Sequence, residues 1–409
     1  MKILIVNQPP YNRGDESAHK GLIRSLLKRC PNIQIKVLYH LWTKNSIEQY
    51  AISDSRVEYI PSFYGRAFLY EDLVRKHIRI DNWGVLPFVP LFKPYAEIYR
   101  WADLVLSAPG GICMGGFQDW DHLIHLIMAK SFKKPLAYYG RSFGPFPTET
   151  KLNREFKKKS FEMLHYFSFL SIRDHKTEQL AQQLKIKYVP TVDSAFLDDT
   201  MVEIPENIRH EIGNDYMVFV PNYLLWHYAY KGRFTKESII AFYCKLIDVI
   251  KNQNPNIKIV MLPQLFGLTY YESNDSLFFQ DIKKASTYKN NIVILSDMHG
   301  SDVQQAIIRE AKYLIGARYH SIVFAVNQNT PFISMSYEHK MSGMLETLNK
   351  KEWCVDFTTT MDTKERQEKC IQQIQSLIPH LKRDEQLSVN AKKIANRCMD
   401  EFIRQCIHD

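Results

Sequence analysis

The sequence predicts an α/β protein made of two doubly wound halves, and three observations carry that expectation. Short apolar runs alternate with segments of helical period along most of the chain. Most runs end in glycine, proline or a charged residue, as a buried parallel strand does where it leaves its sheet. At 409 residues the chain also exceeds what one ordinary core organises, so two domains are expected.

Taken in order, Lys2 to Asn7 reads as a strand and Gln8 to Asp15 as a loop. Glu16 to Arg29 reads as a helix with Leu22, Ile23, Leu26 and Leu27 on one face and Asp15 as its cap. Ile33 to Tyr39 then completes an opening βαβ unit. From Pro61 to Tyr99 the alternation blurs into an aromatic and basic stretch containing Trp83, Phe88 and Phe92. A helical insert packed on its own domain is the plain reading of that stretch; an interfacial patch of rings and snorkelling cations is the sharper one. Strands are expected over Asp103 to Ser107, Leu136 to Ser142 and Phe167 to Ile172, with helices over Trp120 to Lys130 and Lys176 to Leu184.

Regularity drops between Pro190 and Asn214, which reads as a hinge. The second half resumes with strands over Tyr216 to Pro221, Ile257 to Leu262, Ile292 to Leu295, Lys312 to Ile315 and Pro331 to Ser336. Helices are expected over Lys236 to Lys251, Asp302 to Ala311 and Ser321 to Asn327, and an amphipathic one over Asp384 to Ile407. The layout expected is an N-terminal Rossmann-like domain over 1–200 with the insert at 61–99, a C-terminal Rossmann-like domain over 201–383, and a C-terminal helix over 384–409. Two such domains facing across a cleft would form a GT-B-like arrangement.

Lys and Arg number 53 against 44 Asp and Glu, and 53 − 44 gives the formal charge of +9. That favours anionic partners without choosing among them. Cations are scattered, with Lys157 to Lys159 the one compact run, so a nucleic-acid groove is not expected. The seven cysteines form no CxxC pair, which argues against a zinc site or a disulfide framework. The opening MKILIVNQPP reads as a strand rather than a signal peptide, and no apolar run approaches the roughly 20 residues of a membrane span. The expectation is a cytoplasmic protein with reduced thiols.

The most informative stretch is Ala311 to Lys340. Two strands there end in Arg318 with His320 and in Tyr337 with Lys340, at edges where α/β sheets bind ligands. A guanidinium fork with an ammonium nearby suits a small dianion bearing phosphate and carboxylate oxygens. An ion pair for Arg318 and a capping role for His320 are the plain alternatives. Arg173 with Asp174, at a third strand end, could share a phosphate with Arg318 or form an ordinary ion pair. Asn12 and Asp15 sit at the first strand-to-helix turn, and Gly110 and Gly111 follow another strand; each is a candidate for acceptor contact or a plain turn. Asp193 with Phe196 is expected to fix the turn between domains. His227 and Gln264 lie after strands of the second half and are expected to point to its ligand. No Walker A or GxGxxG pattern is present.

Seven motifs in order, NRGDE at Asn12, PGG at Pro109, GRSFGP at Gly140, SIRD at Ser171, VDSAF at Val192, GARYH at Gly316 and YEHK at Tyr337, resemble the polysaccharide pyruvyltransferase family. They run from about residue 3 to residue 348. Tyr319 stands where a leucine is usual, and is expected to point away from its neighbours. The resemblance implies transfer of the enolpyruvyl group of phosphoenolpyruvate to two hydroxyls of a sugar, giving a cyclic ketal and phosphate. It implies Arg173, Arg318, Lys340 and His320 as the phosphoenolpyruvate set; the chemistry of ketal formation then makes His320 the candidate acid for C3 or for the leaving phosphate, Asp15 the candidate base or acceptor-hydroxyl ligand, and Arg318 a catalytic as well as a binding residue. Acceptor contacts would fall to Asn12, Asp15, Gly110, Gly111 and His227. Neither metal nor cofactor is required, because guanidinium groups can stabilise the developing charge. A polyprenyl-diphosphate-linked saccharide and peripheral contact with an anionic membrane at its inner face are the partners implied; nucleic acid is not one. A nucleotide-sugar glycosyltransferase of GT-B form and a non-catalytic glycan-binding protein of envelope assembly are the competing readings.

Overall fold

The computed structural model describes residues 1–8, 12–40, 51–62, 93–110, 114–116, 118–227, 229–266, 274–296 and 299–407. The chain divides into two compact units. Unit 1 comprises Met1–Pro10, Asp15–Asp198 and Lys393–Asp409; unit 2 comprises Tyr11–Gly14 and Asp199–Lys392.

Unit 1 holds β1 (Lys2–Gln8), β2 (Gln34–His40), β3 (Val57–Ser62), β4 (Leu104–Ser107), β5 (Leu136–Tyr138), β6 (Phe169–Ile172) and β7 (Val189–Pro190). They pair in parallel in the order β3-β2-β1-β4-β5-β6-β7. Ile3, Leu4, Ile5 and Val6 of β1 are all fully buried, as the sequence's unbroken apolar runs require in a parallel sheet. Parallel pairing demands long crossovers. Those described are α1 (Arg13–Arg29), α2 (Lys93–Trp101), α3 (Trp120–Ser131), α4 (Lys151–Leu164) and α5 (His175–Gln183). Helix α1 starts at Arg13, three residues before the expected Glu16, and bears Asp15 and Glu16 in its first turn and Lys28 and Arg29 in its last. Both placements oppose the helix dipole favourably. Of the insert expected over 61–99, residues 63–92, including Trp83, Phe88 and Phe92, lie outside the described residues; its end is α2, with Tyr95 and Tyr99 buried.

Unit 2 holds α6 (Glu206–Ile212), β8 (Tyr216–Val220), α7 (Lys236–Gln253), β9 (Lys258–Met261), α8 (Asp275–Ala285), β10 (Ile292–Ile294), α9 (Ser301–Glu310), β11 (Leu314–Gly316), α10 (Tyr319–Asn327), β12 (Phe332–Ser336), α11 (His339–Thr347), β13 (Cys354–Asp356) and α12 (Lys364–Leu377). Its strands are parallel in the order β10-β9-β8-β11-β12-β13. Every residue of β8 and β12 is buried.

The last helix, α13 (Glu385–Cys406), is shared out rather than standing apart: its residues to Lys392 group with unit 2 and the rest with unit 1. There Phe402 packs edge-on against Tyr139 at 5.6 Å and Phe169 at 5.1 Å. Among the described residues no helix is long and apolar enough to cross a membrane.

Candidate active site

In unit 2 the strand order reverses between β8 and β11, the position at which open α/β sheets bind ligands outside the carboxyl ends of their strands. Arg318, two residues past β11, is the N-cap of α10, and no side chain caps that helix. One of its Nη2 hydrogens is donated to Asp275 Oδ1, and its guanidinium carbon lies 5.9 Å from the centre of the Trp226 ring. The other Asp275 oxygen accepts the backbone N–H of Gln264 and of Leu265, both at 3.0 Å. Trp226 is itself tethered, its Nε1 donating to Asn222 Oδ1 at 3.1 Å while Asn222 Nδ2 donates to the Ala317 carbonyl at 3.1 Å. The turn after β8 is thereby laced to the end of β11. Arg318 is 7% exposed, and its Nε has no hydrogen-bond partner among the described residues.

A second carboxylate organises the neighbouring strand end. Glu338 stands at the N-cap position of α11 without a side-chain hydrogen bond to that helix, and lies 3.1 Å from Lys340 Nζ by one oxygen and 3.4 Å from His227 Nε2 by the other. Burial alone would raise the Glu338 pKa, but the charge of Lys340, followed by His227 and hydrogen bonds from Lys340 and Tyr337, holds it below the usual carboxylate range. His227 moves down, chiefly through burial and further through Lys340, against the opposing pull of Glu338. Its Nδ1 accepts the Ala229 N–H at 3.2 Å, so the hydrogen-bond network assigns a neutral ring with the proton on Nε2, facing Glu338.

Lys340 also lies 5.8 Å from the centre of the Tyr319 ring, and Tyr319 meets His320 edge-on at 4.9 Å. Tyr319 is buried and in contact with its neighbours, contrary to the expectation that it points away. Trp226 and His227 rings are 5.3 Å apart, which links the groups around Arg318, through Glu338, Lys340 and Tyr319, to His320.

The segment Asn12–Gly14 belongs to this unit as well. Arg13 N–H donates to the Gln264 carbonyl at 3.0 Å, Asn12 bridges Leu265, and the Arg13 guanidinium stacks 5.0 Å from Phe266. Gly14 lies against His320 so closely that a Cβ would sit 1.9 Å from the ring's Cγ and Nδ1. Only glycine fits there.

The remaining expected residues are in unit 1. Arg173 is 3% exposed; it pairs with Asp193 through Nη1, and its Nη2 donates to the Gly110 carbonyl at 2.8 Å. Asp174 caps α5, its carboxylate accepting Thr177 N–H at 2.9 Å. Asp193 was expected to fix a turn, and it does cap a short 3-10 segment over Ser194–Leu197, but it also supplies the counter-charge for Arg173. Asp15 is 8% exposed, and its Oδ1 lies 3.3 Å from where a Cβ on Gly110 would sit; Arg141 Nη2 lies 2.8 Å from the same point. Gly111 lies outside the described residues. Arg141 is fully buried and directs Nη1 to His122 Nδ1 at 3.0 Å and Ser107 Oγ at 3.3 Å.

Sequence reasoning missed Asp275, Trp226 and Glu338. Asp275 reads as an ordinary helix start after Asn274. Glu338 stands inside the YEHK motif, flanked by the residues that drew attention.

Two Rossmann-like units, each built on a parallel sheet with cations at strand ends, define an α/β protein of GT-B-like type. The profile of the family described as polysaccharide pyruvyl transferase matches residues 12–339. The chain belongs to that family. It is 23% identical over 387 residues to the amylovoran biosynthesis protein AmsJ of Erwinia amylovora, covering 88% of this chain and 89% of that one. Among solved structures, the UDP-GlcNAc 2-epimerase of Methanocaldococcus jannaschii superposes with a TM-score of 0.57 at 12% identity, over 99% of this chain and 100% of that chain. Arabidopsis thaliana UGT89C1 complexed with UDP superposes with a TM-score of 0.54 at 10% identity, over 97% of this chain and 94% of that chain. At such identities these likenesses establish the fold alone.

Proposed function

We propose that this chain moves the enolpyruvyl group of phosphoenolpyruvate onto two hydroxyls of a saccharide, forming a cyclic pyruvate ketal and releasing phosphate. Membership of the pyruvyl transferase family supports the reaction class, and the similarity to a polysaccharide biosynthesis protein supports a saccharide acceptor. The observation that carries the reading is the unit 2 cluster of Arg318, Lys340 and His320 at the ends of adjacent strands. The unshared Nε of Arg318 and two helix N-termini without side-chain caps, those of α10 and α11, supply the donors an enol phosphate needs.

In this reading Arg318 and Lys340 hold the phosphate and carboxylate. His320 gives a proton to C3 of the enol, which makes C2 electrophilic. A sugar hydroxyl adds to C2 and loses its proton, the C2–O bond to phosphate breaks, and the second hydroxyl closes the ring. Of the two hydroxyl protons released, one replaces the proton given to C3 and the other leaves with phosphate. Asp15 is the carboxylate assigned to a reacting hydroxyl, with Asn12, Gly110, Gly111 and His227 as acceptor contacts. Arg173 is assigned to phosphoenolpyruvate binding in this reading, alongside its bond to the Gly110 carbonyl. The acceptor assigned is a saccharide on a polyprenyl-diphosphate carrier, met by a cytoplasmic enzyme at the inner face of the membrane.

The test is calorimetric titration with phosphoenolpyruvate together with phosphate release over a panel of saccharide acceptors. His320→Ala is expected to abolish release while leaving phosphoenolpyruvate binding largely intact, and Arg318→Ala to weaken binding itself. Near-normal turnover in the His320 variant would remove its role as acid. Phosphate release from sugar nucleotides but not from phosphoenolpyruvate would replace the reading with glycosyl transfer.

A further inference from the structure

We infer that Asp275 is a positioning residue that sets the direction in which Arg318 meets its anionic ligand. The inference rests on the pyruvyl-transfer reading above and adds to it a residue that neither the motifs nor the comparisons assign. Three neighbouring strands of unit 2 converge on the Arg318 guanidinium. Arg318 itself comes from the end of β11, Trp226 from the turn after β8, and Gln264 with Leu265 from the end of β9.

Asp275 joins the last of these to the first. One carboxylate oxygen is fixed by the two amide N–H groups at 3.0 Å and the other takes Nη2 of Arg318. With one oxygen held by the backbone and the side chain 3% exposed, the carboxylate has no freedom to follow a mobile guanidinium. It is a fixed reference point, and the arginine is tied to it through Nη2 while the Trp226 ring lies 5.9 Å from the guanidinium carbon on another side. What the carboxylate leaves of the fork is Nη1 and the buried Nε, and Nε has no partner among the described residues, so the remaining edge is unclaimed. An anion reaching that edge meets a guanidinium whose orientation is already settled, so less ordering is needed on binding.

The sign of the effect separates this role from a simple charge count. A carboxylate next to a dianion site opposes dianion binding, so neutralising it would tighten the ligand if charge were all that mattered. Positioning demands the reverse. Phosphoenolpyruvate titrated calorimetrically into the parent, Asp275→Asn, Arg318→Ala and the double variant decides between them. Expected are a roughly tenfold weaker affinity in Asp275→Asn, in the range of coupling for contacting pairs, and no further loss when Asp275→Asn is added to Arg318→Ala. Asp275→Glu keeps the charge, displaces the guanidinium by about one methylene and is expected to weaken binding too; it serves if the Asn variant does not fold. At saturating phosphoenolpyruvate the single variants at Asp275 should lose far less in kcat than in affinity. Equal or tighter binding in both Asp275 variants, or full additivity with Arg318→Ala, overturns the inference while leaving pyruvyl transfer standing. A parent protein that does not bind phosphoenolpyruvate overturns both.

Discussion

Gly14→Ala is the sharpest perturbation the structure offers. The added Cβ would lie 1.9 Å from Cγ and Nδ1 of His320, where ordinary contact begins at 3.4 Å, so the overlap is 3.4 − 1.9 = 1.5 Å. Relief must come from the imidazole or from Asn12–Gly14, and the latter is anchored by the Arg13 N–H to Gln264 bond at 3.0 Å and the Asn12 bridge to Leu265. The ring is therefore the part that yields. Overpacking of this kind costs about 1–3 kcal/mol of stability, which a chain of this size can absorb. A misplacement of about 1 Å at a reacting group costs about a hundredfold in rate. The expected outcome is a kcat for phosphate release lowered about a hundredfold, with phosphoenolpyruvate affinity changed by less than about threefold. Gly343→Ala is the control: beyond its own stretch of helix no atom of the described residues lies within 4 Å of its added Cβ, the site is inside α11, and the change should raise stability by about 0.5–1 kcal/mol. A Gly14→Ala enzyme with kcat within about twofold of the parent would refute the placement of His320 at the chemistry.

Tyr319→Leu removes the ring facing Lys340 and should weaken phosphoenolpyruvate about two- to fivefold, the equivalent of about 0.5–1 kcal/mol, while Tyr319→Phe keeps the ring and should bind as the parent does; equal affinities in the two variants would dismiss the contact. His19 predicts a pH dependence of stability. Burial, aided by Lys20, lowers its pKa to about 3 from 6.5, so the folded state keeps it neutral while the unfolded state takes up a proton below pH 6.5. Its contribution is present above pH 6.5 and is lost as pH falls, by about 1.4 kcal/mol per pH unit down to pH about 3. Thermal melts of His19→Gln should fall less steeply between pH 6 and 4 than those of the parent, and parallel profiles would contradict the assignment.

The sheets were legible because parallel strands buried on both faces leave unbroken apolar runs, and β1, β4, β8 and β12 carry them plainly. Strand ends were less so. Leu136 to Ser142 reads as one strand, but regular pairing stops at Tyr138, leaving beyond it an isolated bridge from Arg141 to Gly110, since Gly140 adopts a positive φ of 56° and the Arg141 side chain turns inward to His122 and Ser107. The cations of the site were legible by residue type and by their position after apolar runs. Their counter-charges were not, because Asp193 and Asp275 are separated from Arg173 and Arg318 by 20 and 43 positions, just as Glu338 meets the neutral His227 ring from 111 positions away. Only folding shows which carboxylate meets which cation, and so an isolated acid at a helix start looks like any cap. The glycine of NRGDE signalled a turn; its fit against His320, some three hundred residues away, is likewise a tertiary fact.

The most direct test of pyruvyl transfer is the fate of the donor's C3 in heavy water. Incubated in D2O with unlabelled phosphoenolpyruvate and a saccharide acceptor, the enzyme should release phosphate and yield a ketal whose methyl group carries one deuterium, read by mass spectrometry and NMR. A transferred group that keeps its methylene, or a methyl without deuterium, would contradict protonation at C3 and with it the ketal-forming reaction assigned to this cluster.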